Sequence, residues 1–323
     1  MTTGANGMTF GVFIPQGWKM ELKSIEDPAA KWAKSVEIAQ LAEELGYDSL
    51  WVYDHFHNVP KPAQEAMFEC WTTMAAISQR TSRIMLGQMV GCNPYRNPAL
   101  LAKITSNIDV MSGGRLIWGI GAGWYRNEFN GYGYEFASNG DRLRAMRECI
   151  EIVTGMWREP SFSYSGRYYQ LERAECDPKP LQSRPQVLVG GGGEKVTLRI
   201  VARLADASNF GGKPSEWAAK TEILKDHCRD VGRDYDEIQK TWSPEIHIRE
   251  TEDEIDAGGS RSTWGEKFDS WCEGNLVGTP EQVAEKIAAY QALGCTGFYP
   301  WCSDYPSTET MRLFAEKVIP QFR

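Results

Sequence analysis

Asp54 and His55 stand side by side after an apolar run, Ser49–Tyr53, in a chain with only four histidines, at 55, 57, 227 and 247. An imidazole near neutral pKa can pass a proton to an oxygen or nitrogen that gains negative charge. His55 is therefore the candidate catalytic group. The plainer role for any single histidine is a loop side chain satisfied by backbone, and His57 fits that role better. Glu245 and His247 form a second pair, placed on one face by alternation along an extended segment. Core or outer packing is the expectation there.

A second constellation needs no side chain. Gly190, Gly191, Gly192 and Gly193 lie between the apolar run Val187-Leu188-Val189 and a helical pattern. Successive glycines at a helix start expose backbone N–H groups, which bind phosphate without a side-chain charge. A tight turn that only needs positive φ requires fewer of them. Aromatic residues supply a third element: Trp18, Trp124 and Trp301 fall just past the first, fourth and eighth apolar runs, where they would line a flat, apolar substrate pocket.

These groups need elements to hold them. Candidate strands are Thr9–Ile14, Ser49–Tyr53, Arg83–Val90, Arg115–Gly121, Gln186–Gly190, Ala207–Phe210, Lys240–Ile248 and Thr296–Pro300. Helical patterns alternate with them at Ala33–Leu45, Glu69–Gln79, Pro98–Met111, Arg142–Trp157, Glu194–Arg203, Ser215–Asp230 and Pro280–Leu293, and a last one, Thr308–Phe322, closes the chain. The clearest helix start is Thr279-Pro280-Glu281, an N-cap followed by proline and an acidic first turn. Eight strands with helical crossovers predict an α/β fold, a closed (β/α)8 TIM barrel, as one domain over residues 1–323. A doubly wound open sheet would carry its glycine-rich turn after the first strand, and here it follows the fifth. Barrel sites gather where strands end, so the candidates above converge on one mouth. Three stretches exceed plain connections: Pro60–Phe68, Tyr125–Arg184 with a hairpin at Phe162–Leu171 turning at Ser165-Gly166, and Glu250–Asn275. They are expected as insertions at the C-terminal mouth.

Composition narrows the partners. The chain has 323 residues, 42% hydrophobic and 24% charged, with a net charge of −8. That is globular composition, and no basic run invites nucleic acid or an anionic membrane. No apolar stretch reaches the ~18 residues of a membrane span, and the first residues lack a signal-peptide pattern. The eight cysteines contain no Cys-x-x-Cys pair, so no metal site is expected. Reduced, mostly buried thiols place the protein in the cytoplasm. The expected partners are a small-molecule substrate and a second copy of the chain, as a homodimer.

Taken in order, Asp54-His55-Phe56, the run Asn93 to Lys103, Ser112-Gly113-Gly114-Arg115-Leu116, Gly119 to Trp124, Gly166-Arg167-Tyr168-Tyr169 and Gly190 to Leu198 resemble the bacterial-luciferase-like superfamily, in its branch dependent on the deazaflavin coenzyme F420. The resemblance runs from about Phe10 to the C-terminus. It implies that Asp54 hydrogen-bonds the deazaflavin ring and that His55 lies against its reactive face. It implies that Met89 and Val90, joined by a cis peptide, form a bulge behind the ring, that Asn127 contacts the ring or ribityl region, and that Gly190 to Gly193 cradle the phosphodiester. Members acting on sugar phosphates carry a glutamate where Trp124 stands and a tryptophan where Val59 stands, so a phosphosugar is not expected. The implied activity is hydride transfer between F420 and a small apolar or aromatic acceptor: a ketone, enone, imine or nitroaromatic. Two alternatives stay open, an FMN-dependent monooxygenase fed with reduced flavin by a partner reductase, and a non-catalytic deazaflavin carrier.

Overall fold

The computed structural model describes residues 7–255 and 262–323. Eight parallel strands form its centre: β1 (Thr9–Phe13), β2 (Ser49–Val52), β3 (Met85–Gln88), β4 (Leu116–Gly121), β5 (Gln186–Gly190), β6 (Ala207–Asn209), β7 (Gln239–Trp242) and β8 (Gly297–Phe298). Each pairs with the next, and β8 returns to β1, with Thr9 opposite Gly297. The ring is closed. It is the expected (β/α)8 barrel, and its strands are buried on both faces because helices cover the outside.

Trp51, on β2, fills much of the interior and stacks on Tyr299 with ring centroids 4.5 Å apart. Gly11 and Gly87 make room for it: a Cβ on either would lie 2.4 Å from the indole. The residue-type choice on β1 and β3 thus follows from one large side chain on the strand between them.

Helices α1 (Pro28–Glu44), α2 (Cys70–Ser78), α3 (Pro98–Ser112), α4 (Arg126–Tyr132), α5 (Asn139–Arg158), α6 (Thr197–Leu204) and α7 (Pro214–Val231) follow in order, and Pro280–Ala292 is the helix after β7. Several starts combine a capping side chain with a proline in the first turn. Asp27 caps α1, Asn97 caps α3, and Thr279 forms a capping box with Gln282.

The structure departs from the sequence expectation in four places. The seventh apolar run breaks at Ser243-Pro244, since proline has no N–H to give the ladder. Its second half, Glu245–Ile248, pairs instead with Leu276–Gly278 and Trp301–Cys302 in a small parallel sheet. From the Tyr125–Arg184 stretch, Tyr125 and α4 reach the strand ends beside His55, and the start of α5 reaches those of β4 and β5. The hairpin runs along α5: it pairs Phe162–Ser165 with Gln170–Ala174 and turns through Gly166 to Tyr169, whose amides at Arg167, Tyr168 and Tyr169 donate to Glu148. The Glu250–Asn275 stretch holds short helices, Glu252–Ile255 and Phe268–Gly274, and its residues 256–261 lie outside those described. The last helix is regular only over Glu309–Leu313 and then widens and tightens toward Pro320. Among the described residues no helix is long and apolar enough to cross a membrane, and no three His, Cys, Asp or Glu side chains gather to hold a metal.

Candidate active site

His55 leaves the end of β2 and enters a cavity of about 140 Å³ walled by Trp18, Tyr53, Asp54, Met89, Val90 and Trp124, among others. The imidazole lies flat on Trp18, with centroids 4.4 Å apart and planes 8° from parallel, and meets Trp124 and Tyr125 edge-on. Trp18 is held by its loop. The buried Glu21 carboxylate accepts the amides of Gln16, Gly17 and Lys19, and Asn58 donates to the Gly17 carbonyl. Burial raises the Glu21 carboxyl above its usual range, and the amides offset only part of that.

The partner that orients His55 is Glu128, from α4. Its Oε2 lies 2.8 Å from His55 Nδ1, and the same carboxylate accepts the amides of Phe56 and His57 and the Tyr95 hydroxyl. Burial alone would raise this carboxyl. The His55 hydrogen bond and charge, with the His57 amide and Tyr95, outweigh burial and hold it below the usual glutamate range. An ionised Glu128 fixes the proton on Nδ1 and leaves Nε2 as the ring's second working atom. Tyr95, by contrast, is pushed far up by burial and by its anionic neighbours, so it stays a donor.

In the structure the partners of Asp54 are protein groups. Both its oxygens are taken by Arg96, at 2.6 and 2.9 Å, and Oδ2 also accepts the Cys92 amide. Arg96 in turn reaches Glu69 and lies over the Trp71 ring. Asp54 borders the cavity, but it is the buried end of a charge network that pins the β3 loop to β2. Sequence reasoning passed over Arg96 and Glu128 as site residues, although Arg96 lies inside a motif singled out and Glu128 adjoins Asn127.

The peptide between Met89 and Val90 is cis, and both residues line the cavity. Val90 sits against strand ends that lack side chains: a Cβ on Gly190 would come within 2.8 and 2.9 Å of its methyls, and one on Gly121 within 2.6 Å. Packing against Val90 thus keeps Gly190 bare of a side chain. The open backbone begins beyond it. Gly191 has φ +117°, and among the described residues the amides of Gly192 and Gly193 donate to no protein acceptor. With Lys195, Thr197 and Asn139 they line a hollow of about 450 Å³ before α6. Helix α6 starts three residues later than expected, which leaves those amides uncommitted.

Two further candidates are placed elsewhere. Asn127 is exposed in the first turn of α4, where the helix turns Glu128 inward instead. Trp301 is buried but is not in the cavity wall; its ring lies 4.2 Å from the Lys19 ammonium, which pairs with Glu245. Trp124 is at the mouth and 53% exposed, facing Trp264 across 6.1 Å. His247 is fully buried beside Ser303 and Trp271, away from the cavity.

A model of the luciferase-like monooxygenase family matches residues 8–297. An F420-dependent glucose-6-phosphate dehydrogenase of Amycolatopsis mediterranei is 34% identical over 173 residues, 53% of this chain and 51% of that enzyme. An FMNH2-dependent dimethylsulfone monooxygenase of Pseudomonas fluorescens is 25% identical across 89% of this chain and 86% of its own length. In three dimensions, an F420-dependent secondary alcohol dehydrogenase in complex with an F420-acetone adduct superposes with a TM-score of 0.82, at 21% identity, over 98% of this chain and 99% of that one.

Proposed function

Because this chain belongs to the luciferase-like monooxygenase family, we propose that it is an oxidoreductase that moves hydride between coenzyme F420 and a small apolar or aromatic acceptor such as a ketone, enone, imine or nitroaromatic. The observation that carries this is the His55–Glu128 pair, with Nε2 unpaired among the described residues at the wall of an aromatic cavity. When bound, the deazaflavin supplies two electrons as hydride, having carbon where a flavin has its reactive nitrogen.

The residues fit such a group. The free amides at Gly192 and Gly193 and the hydroxyl of Thr197 suit a phosphodiester, and the cavity wall is largely aromatic, with one buried donor, Trp18 Nε1, that has no partner among the described residues. Met89 and Val90 would back the ring and Trp18 would hold His55 flat. His55 would give the acceptor's oxygen or nitrogen its proton from Nε2 as hydride reaches the neighbouring carbon. Glu128 would stabilise the imidazolium before that transfer and keep the ring aimed through it. The apolar Trp124 and Trp264 at the mouth suit an uncharged acceptor, and among the described residues the cavity wall carries no Lys or Arg to receive a sugar phosphate.

The reading that competes is an FMN-dependent monooxygenase, suggested by the Pseudomonas relative, whose match spans 89% of the chain, as does that of an F420-dependent glucose-6-phosphate dehydrogenase of Microbacterium testaceum. Anaerobic mixing separates them. The protein with reduced F420 and an enone should oxidise the cofactor without oxygen, whereas a monooxygenase consumes oxygen with reduced FMN and leaves reduced F420 untouched.

A further inference from the structure

Glu245 opens the strand Glu245–Ile248 and joins three segments of the chain through one buried carboxylate. Its Oε1 lies 2.6 Å from the Lys19 ammonium, and both side chains are less than a tenth exposed. Oε2 accepts the indole N–H of the fully buried Trp271 at 2.6 Å, and the Thr263 hydroxyl donates to Oε1 at 3.4 Å. The ammonium also lies over the Trp301 ring, 4.2 Å from its centroid, and 5.8 Å from that of Trp18. Lys19 and Thr263 each adjoin in sequence an indole of the site. Trp18, before Lys19, carries the His55 imidazole at 4.4 Å, and Trp264, after Thr263, faces Trp18 across 6.4 Å. No hydrogen bond aims the Trp18 ring itself, since its Nε1 has no partner among the described residues.

We propose that Lys19 is a positioning residue: gripped by Glu245 and the Trp301 ring, it fixes the indole of Trp18 on which His55 lies. The proposal rests on the reading of His55 as the proton donor. A buried ion pair is weak evidence of stability, because apolar side chains of similar volume often fill such a space equally well. What they lack is direction. A short charge-assisted bond sets the distance and angle between the groups it joins, and this one joins the loop after β1 to the segment that carries Trp264. Glu128 holds His55 by Nδ1 alone, which leaves the ring free to pivot about that bond. The flat contact with Trp18, 8° from parallel, removes that freedom. A displacement of about 1 Å can cost about 10²-fold in rate. A side chain outside the cavity wall therefore governs turnover through the ring it holds.

Lys19→Met alone would strand a buried carboxylate, so the test uses Lys19→Met/Glu245→Gln, which removes both charges, and Lys19→Arg, which keeps a cation beside Glu245. Melting temperatures establish that each variant folds. One readout is independent of turnover. Only four histidines contribute to carbon–proton correlation spectra of the imidazoles, and the His55 signal is identified by its loss in His55→Ala. Shielding by the Trp18 face should place that signal upfield in the wild type. The double variant should lose the upfield shift, and Lys19→Arg should keep it. The second readout is single-turnover oxidation of reduced F420 by an enone. The double variant should be about ten- to a hundredfold slower, with cofactor affinity within a few-fold of the wild type, and Lys19→Arg should recover most of the rate. A His55 signal that stays upfield in the folded double variant overturns the proposal, and so does a lost shift with an unchanged rate. A wild type that leaves reduced F420 untouched overturns the activity reading alone, and the His55 signal then decides whether Lys19 sets the ring.

Discussion

Glu128 Oε2 stands 2.8 Å from His55 Nδ1, although 73 residues separate the two in sequence. Four donors converge on this one carboxylate: the His55 imidazole, the Phe56 and His57 amides and the Tyr95 hydroxyl. Glu128→Gln keeps the shape but puts an NH2 donor among donors. It should cost about 1–3 kcal/mol of stability, the usual cost of leaving buried partners unsatisfied, and lower turnover because the ring is no longer held.

The same residue sets a pH dependence. Its carboxyl titrates lower in the folded chain than in the unfolded one. The stability it confers is therefore complete above the ordinary glutamate range and lost as pH falls through the folded value. Urea midpoints at pH 7 and pH 4 should drop further for the wild type than for Glu128→Gln.

The barrel was legible because strand and helix periods alternate eight times, and local pattern records that. His55 was legible as one of few titratable groups at a strand end. Glu128 and Arg96 were not, since their importance lies in partners 73 and 42 residues away, which no local period encodes. Asn127 shows how fine the margin is: one position along α4 separates an exposed side chain from a buried one. The packing constraint on Gly190 was hidden for a related reason. A row of four glycines looks uniform, but Val90, from another strand, decides that the first is for packing.

That division can be measured. Gly190→Ala drives a Cβ to within 2.8 Å of Val90 and should cost about 1–3 kcal/mol by overpacking, seen as a lower melting temperature. Gly192→Val, whose Cβ meets the movable end of the Lys220 side chain, should fold nearly as the wild type, but weaken binding of any phosphate-bearing cofactor more than tenfold, because its side chain fills the hollow before α6.

Arg96 neutralises Asp54 in the interior. Arg96→Met would leave a buried, unpaired carboxylate, and removing one partner of such a pair costs about 3–5 kcal/mol. The double change Arg96→Met with Asp54→Asn should recover part of that loss, and chemical denaturation of the three proteins checks it.

Trp124, 53% exposed, supports little of the fold. Trp124→Ala should shift stability by no more than about 0.5 kcal/mol, as surface substitutions do. It should instead alter the order of preference among acceptors, raising KM most for the aromatic ones in a steady-state panel.

Proton delivery from His55 is the centre of the account, and single-turnover oxidation of reduced F420 by an enone, without oxygen, tests it most directly. His55→Ala should bind the cofactor within a few-fold of the wild type yet oxidise it roughly 10²–10⁴ times more slowly, the usual worth of a positioned acid. Rates that agree within a factor of two at equal occupancy would contradict that role, and a wild type that leaves reduced F420 unoxidised by every acceptor class proposed would contradict the activity itself.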